Sequence, residues 1–273
     1  MIGAIAGDMI GSVYENRPIK TRQFSLFASG SRFTDDTVMT VAVAEAVLTG
    51  TPYREALLRW GRRYPDVGYG SLFAAWLQED NPQPRPSWGN GSAMRVSPIG
   101  WAARDAASVL RESAACACVS HTHPDAVCGA QAVALAIFLA RTGNSRNTIR
   151  RTIREQFGYD LDRTVDVIRP GYGFDVSCAG SVPEAMIACL DAGGYEDAVR
   201  NAISLGGDSD TLACMAGGIA EAMFGGVPEP VVREVWMRLP VDMGEIVDEF
   251  YRTFAIHGMA GRTPGRRMGR SDE

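Results

Sequence analysis

Two segments far apart in the chain set the same chemistry at the start of an apolar stretch. The first reads Phe33-Thr34-Asp35-Asp36-Thr37 and continues as VMTVAVAEAVL; the second reads Gly206-Gly207-Asp208-Ser209-Asp210-Thr211 and continues as LACMAGGIAEAMF. Helix capping accounts for either segment alone, because Asp and Thr side chains accept backbone N–H bonds at a helix N-terminus and complement its dipole. The pair asks for more, since a helix start needs one cap, not four or five oxygen donors. Both following stretches are apolar nearly all round, so their starts belong near the core. Four ionised aspartates there are prohibitive without compensation. Two divalent cations would neutralise them, and a donor set made only of oxygen favours Mg²⁺ or Mn²⁺ over Zn²⁺. Two such ions sharing a carboxylate sit about 3.5–4 Å apart.

A further acidic pair lies near the N-terminus. In a helix over 2–15, Asp8, Gly11 or Ser12, and Glu15 share one face by i, i+3/4, i+7 spacing. Glu15 then falls at the C-terminal end, where a negative charge opposes the dipole. That placement suggests another use, a solvated surface Glu being the alternative. Asp8 is either a member of the acidic cluster or a buried hydrogen-bonding residue that fixes the helix.

Helical periodicity dominates the elements that must position these groups. It predicts helices over 2–15, 36–48, 52–64, 70–79, 105–119, 124–142, 145–157, 181–191, 195–204, 210–224, 229–238 and 242–257. Thr34, Pro52 and Asp208 supply start signals. The β-branched stretch 164–168 reads as a short strand with few possible partners. The expected fold is therefore all-α, and the wealth of Ala and Gly lets helix axes approach closely in a compact bundle. Two Gly- and Pro-rich loops interrupt it, 80–92 and 158–180. We expect one domain over 1–257 and a frayed Arg/Gly-rich tail over 258–273.

Composition removes several function classes. The net charge of -5 argues against a sequence-independent grip on nucleic acid. Lys20 is the only lysine, so no Walker-A phosphate loop exists. The six cysteines form no C-x-x-C and fall mostly in apolar helical patterns, which suits a reducing cytoplasm. The N-terminus lacks the basic start of a signal peptide, and the most apolar run, 126–140, reads as a buried core helix rather than a membrane span.

Five blocks, GAIAGDMIGSVYE, FTDDTVMTVAVAEAVL, SWGNGSAMRVSPIG, SHTHPDAVCGAQAVALA and AISLGGDSDTLACMAGGIAEAMFG, resemble in order those of the ADP-ribosylglycohydrolases. The resemblance runs from residue 2 to 225 and implies a compact, orthogonal all-α bundle with two divalent cations, Mg²⁺ or Mn²⁺, at helix N-termini. It assigns the metal ligands to Thr34, Asp35, Asp36, Asp208, Asp210 and Thr211, and catalysis to Glu15 with Asp36. It implies ADP-ribose, or an acceptor carrying it, as partner. The diphosphate and distal ribose would lie on Ser87, Trp88, Gly89, Asn90, Gly91 and Ser92, with Trp88 offering a face to adenine. The glycines there would admit close backbone approach and φ > 0. His121 matches the family's ligand-contacting histidine, and Ser120 stands before it where the family usually has Thr; His123, before Pro124, caps or packs. Residues 143–205 resemble the family more weakly; Tyr172, Phe174 and Ser177 either line the cleft or form a turn with core aromatics. A non-catalytic ADP-ribose binder and a metal phosphohydrolase acting on the diphosphate are the competing functions. The acceptor linkage and the oligomeric state are not set by the sequence.

Overall fold

The computed structural model describes residues 1–254, and among these the only secondary structure besides two isolated bridges is helical. Fourteen α-helices follow one another: α1 Ile2–Gly11, α2 Asp35–Thr49, α3 Tyr53–Arg63, α4 Ser71–Gln78, α5 Ser97–Ala102, α6 Ala106–Cys118 and α7 Pro124–Arg141. The second half holds α8 Arg146–Phe157, α9 Val165–Ile168, α10 Cys178–Leu190, α11 Tyr195–Ser204, α12 Ser209–Met223, α13 Glu229–Arg238 and α14 Val241–Thr253. The fold is the all-α bundle that the periodicity predicts. The tail 258–273 and the end of the helix expected over 242–257 lie outside the described residues.

Local chemistry sets the boundaries. Thr34, Asp105, Ser145 and Ser177 cap α2, α6, α8 and α10 through their side chains, and left-handed Gly50 and Gly158 end α2 and α8. Three expectations need correction. First, α1 stops at Gly11, four residues early: Ser12 turns its hydroxyl back onto the Met9 carbonyl at 2.9 Å, and Glu15 falls in the turn beyond. Second, 164–168 is not a strand; the Asp191 carboxylate accepts from the Val165 N–H at 3.0 Å and holds one short helical turn. Third, α5 went unforeseen, because its six residues include Pro98 and Gly100 and are too few to show a period.

The centre of the molecule is the crossing of α1 and α12. Every residue of α1 is buried, as is α12 from Ser209 to Ala222. Gly3, Gly7 and Gly11 recur every four residues and put a strip without side chains on one face of α1. A Cβ at Gly7 would lie 2.0 Å from the Ala213 carbonyl oxygen, one at Gly3 2.5 Å from that of Gly217, and one at Gly11 2.5 Å from the Asp210 Cα. The two backbones are therefore in contact along the whole crossing. Its far end is closed by Glu221, which accepts from the Gly3 N–H at 2.9 Å and from the Tyr251 hydroxyl, while the Tyr195 hydroxyl donates to the Gly3 carbonyl at 2.7 Å. By length and apolarity alone α7 resembles a membrane span, but it packs against α5, α6, α8, α10 and α12 as a central helix.

This crossing yields a stability prediction. Gly7→Ala should cost at least about 3 kcal/mol, the upper range for overpacking, because the obstruction is backbone rather than a movable side chain. Gly171→Ala, with open space around its Cβ position, should change stability by no more than about 0.5 kcal/mol. Chemical denaturation of both variants checks the pair; equal stabilities would mean that the helices do not touch here.

Candidate metal centre and ligand cleft

The crossing fixes where the acids meet. Asp8 projects from the middle of α1 and accepts from the Thr34 N–H at 2.9 Å, the Thr34 hydroxyl at 2.7 Å, the Thr37 N–H at 3.1 Å and the Thr37 hydroxyl. It thus lashes the start of α2 to α1. Asp36 ties α2 to α12, its Oδ2 accepting from the Thr211 hydroxyl at 3.2 Å. Asp208 makes no side-chain capping bond to α12, although it stands at the cap position. Instead it accepts from the Asn90 amide at 2.8 Å. Capping, the ordinary explanation for these residues, therefore holds for Thr34 and fails for Asp208.

Oxygen atoms of Asp8, Asp36 and Asp210 lie within 4.8 Å of one another, as do those of Glu15, Asp208 and Asp210. Asp210 belongs to both groups, so two acidic clusters share one carboxylate. Asp36 Oδ1 is buried and receives no hydrogen bond, which costs free energy unless a cation takes that position. The donors are all oxygen, and no Lys or Arg is ion-paired to any of these acids among the described residues. These groups fit hard divalent cations.

The electrostatics agree. Burial, and next the charge of Asp8, push Asp35 up to about 8. Burial raises Asp8 to about 6 against the pull of its four hydrogen bonds. Asp36 and Asp210 stand well above the ordinary carboxylate range, through burial first and then their acidic neighbours. Glu15, in the turn after α1, is raised by burial and by Asp208, with Arg32 opposing.

Most of these acids open onto a cavity of about 440 Å³. Glu15, Thr34, Asp35, Asp36, Asp208, Asp210 and Thr211 all line it, and so do Ser87, Trp88, Gly89, Asn90, Gly91 and His121. The two irregular loops meet to build its wall: the Asn90 N–H donates to the Val176 carbonyl at 2.8 Å and the Cys178 N–H to the Trp88 carbonyl at 2.9 Å. Trp88 and Phe174 stand at the lip, 49% and 62% exposed. Two expectations for the 87–92 loop need correction. Ser92 does not line the cavity; it is buried and donates to the Ala126 carbonyl at 2.8 Å. Gly89 and Gly91 are not in the left-handed region, so their backbone conformation does not require glycine. Tyr172 packs over Gly207 rather than into the cleft, Ser177 caps α10, and His123 caps α7 by accepting from the Asp125 N–H. Arg95, which no sequence motif singles out, also lines the cavity, as does Ser120 beside His121.

Comparison with known proteins now defines the class. The model of the ADP-ribosylglycohydrolase family matches residues 1–257, and the chain belongs to that family. It is similar to the ADP-ribosylhydrolase ARH3 of Danio rerio, at 27% identity over 82% of this chain and 81% of that protein. The ADP-ribosylarginine hydrolase Tri1 of Pseudomonas putida is 27% identical over 86% of this chain and 72% of its own length. Among solved structures, an ADP-ribosylglycohydrolase-related protein complex superposes with a TM-score of 0.70 at 22% identity, covering 93% of this chain and 95% of that one, and shares the fold.

The crowded acids predict an inverted pH dependence in metal-free protein. A carboxyl whose folded pKa is raised holds its proton longer in the folded chain than in the unfolded one. Its stabilisation is complete below the unfolded value and is lost as pH rises through the folded one. For Asp35 that window runs from 3.8 to about 8. The Tm of chelator-treated protein should fall between about pH 5 and pH 8, and Mg²⁺ or Mn²⁺ should raise it more at the higher pH. A metal-free Tm that stays level or climbs across this range would show that the acids are not crowded as described.

Proposed function

We propose that this chain is a hydrolase that cleaves the glycosidic bond between ADP-ribose and an acceptor, with two divalent cations, Mg²⁺ or Mn²⁺, held by Thr34, Asp35, Asp36, Asp208, Asp210 and Thr211. The observation that carries this reading is the convergence of both aspartate motifs and Glu15 in one cleft that the 87–91 loop also lines. Asp8 and Asn90 support the ligands, one by fixing the start of α2 and the other by orienting Asp208. Bound there, the cations would hold ribose hydroxyls and offset charge developing on the sugar.

Glu15 is the proton-handling group. It faces the cavity from a turn, is half-buried, and has its pKa raised above the ordinary glutamate value by burial and then by Asp208, the direction that favours holding a proton for general acid–base work. The Gly89 and Gly91 backbone approaches anionic oxygens of the diphosphate, and Trp88 offers a face for adenine stacking. All six cysteines are free and four are buried, in keeping with a reducing compartment such as the cytoplasm.

Product analysis tests the reaction class. Incubation of ADP-ribosylated arginine, serine, nucleobase and O-acetyl substrates with Mg²⁺ or Mn²⁺ should release free ADP-ribose, whereas release of AMP would mark a phosphohydrolase. Glu15→Gln should still bind ADP-ribose in calorimetry while turnover falls at least about 100-fold, the lower range for losing an acid–base group. Normal turnover by this variant would remove Glu15 from the mechanism.

A further inference from the structure

Arg95 is a buried cation without a counter-ion. Its side chain is 1% exposed, it lines the cleft, and it forms no ion pair with any Asp or Glu among the described residues. Its Nη2 donates to the Cys116 carbonyl at 2.8 Å and to Ser120 Oγ at 2.9 Å, and its Nε has no partner. Ser120 Oγ in turn lies 2.8 Å from His121 Nδ1.

The chemistry of the three groups fixes the direction of these bonds. A guanidinium only donates, so Ser120 accepts from Arg95. The hydroxyl then has one proton to give, and His121 Nδ1, at 2.8 Å, is the acceptor it meets among the described residues. A proton on Nδ1 would leave the Ser120 hydroxyl proton without an acceptor among the described residues.

We propose that Arg95 and Ser120 are positioning residues that hold His121 as a neutral imidazole with its proton on Nε2, presenting one N–H donor to an anionic oxygen of the ligand beside Gly89–Gly91. The anion-facing part rests on reading the cleft as the site of the ADP-ribose diphosphate. A Cβ on Gly89 or on Gly91 would lie 3.7 Å from His121 Nε2, so glycine at both positions keeps the space in front of that donor open. Burial first, and then the Arg95 charge, push His121 down to about 3. Other charges nearby are engaged elsewhere: Arg85 pairs with Glu79, and His123 faces Asp125 at 3.7 Å on the surface. His121 is thus a donor of fixed orientation at every physiological pH, and the positive charge that favours the anion stays on Arg95, one residue further back.

The experiment is ¹⁵N NMR of the histidine-labelled full chain without ligand, with His121 assigned from His121→Gln, together with ADP-ribose calorimetry. In the wild type, His121 should show an unprotonated Nδ1 and a protonated Nε2 and should not titrate between about pH 5 and 8, where an ordinary histidine does. Ser120→Ala, once shown to melt cooperatively, should give mixed tautomers and bind ADP-ribose about 10-fold more weakly, the worth of one hydrogen bond. Ser120→Thr restores the hydroxyl and should restore both. A wild-type proton on Nδ1, or titration near neutrality, in protein that binds ADP-ribose overturns the relay alone. Failure of the wild type to bind ADP-ribose overturns the reading of the cleft and the anion-facing role with it.

Discussion

Carboxylates repel one another, and the rest of this structure is arranged to keep several of them together. Asp8, Asp36, Asp208 and Asp210 are buried side by side, with Asp35 and Glu15 at the edge, and no basic side chain is ion-paired to any of them among the described residues. Such a cluster is stable only if protons or cations supply the missing positive charge. The elevated carboxyl pKa values are the protonic answer; a pair of divalent cations is the one that leaves the acids ionised.

The scaffold meets this constraint by rigidity. Backbone contact between α1 and α12, made possible by Gly3, Gly7 and Gly11, leaves no slack in the placement of Asp8 against Asp210. The acids then divide into two kinds. Asp8 has its oxygens engaged by four donors and serves to join helices. Asp36 keeps one oxygen without a donor and so has coordinating capacity left over. The same division recurs in the cleft wall, where Ser92 is committed to the Ala126 carbonyl while Ser87, Gly89 and Gly91 face the cavity.

The helices and the acidic motifs were legible in the sequence because both are local patterns. A 3.6-residue period shows where α3, α8, α11 and α14 run, long Ala-rich apolar stretches mark α2, α7 and α12, and duplication of the Asp–Thr motif singles out acids that capping alone would explain. What stayed hidden depended on contacts across the chain. Nothing near Asp8 says that its partners are Thr34 and Thr37, so joint and ligand could not be told apart. Pairing of loop 80–92 with loop 158–180 rests on the backbone bonds of Asn90 and Cys178, which carry no side-chain signature. No motif singles out Arg95, and only its burial and its bond to Ser120 set it apart. The short α5 and α9 escaped because neither is long enough to display a period.

The central claim is that the buried acids form a cation site, and anomalous scattering from crystals soaked in Mn²⁺ tests it most directly. The account predicts two Mn²⁺ peaks between the starts of α2 and α12, one at Asp36 and one toward Glu15 and Asp208, with Asp210 touching both. Peaks confined to the protein surface, with the acid cluster left without metal at saturating Mn²⁺, would contradict it.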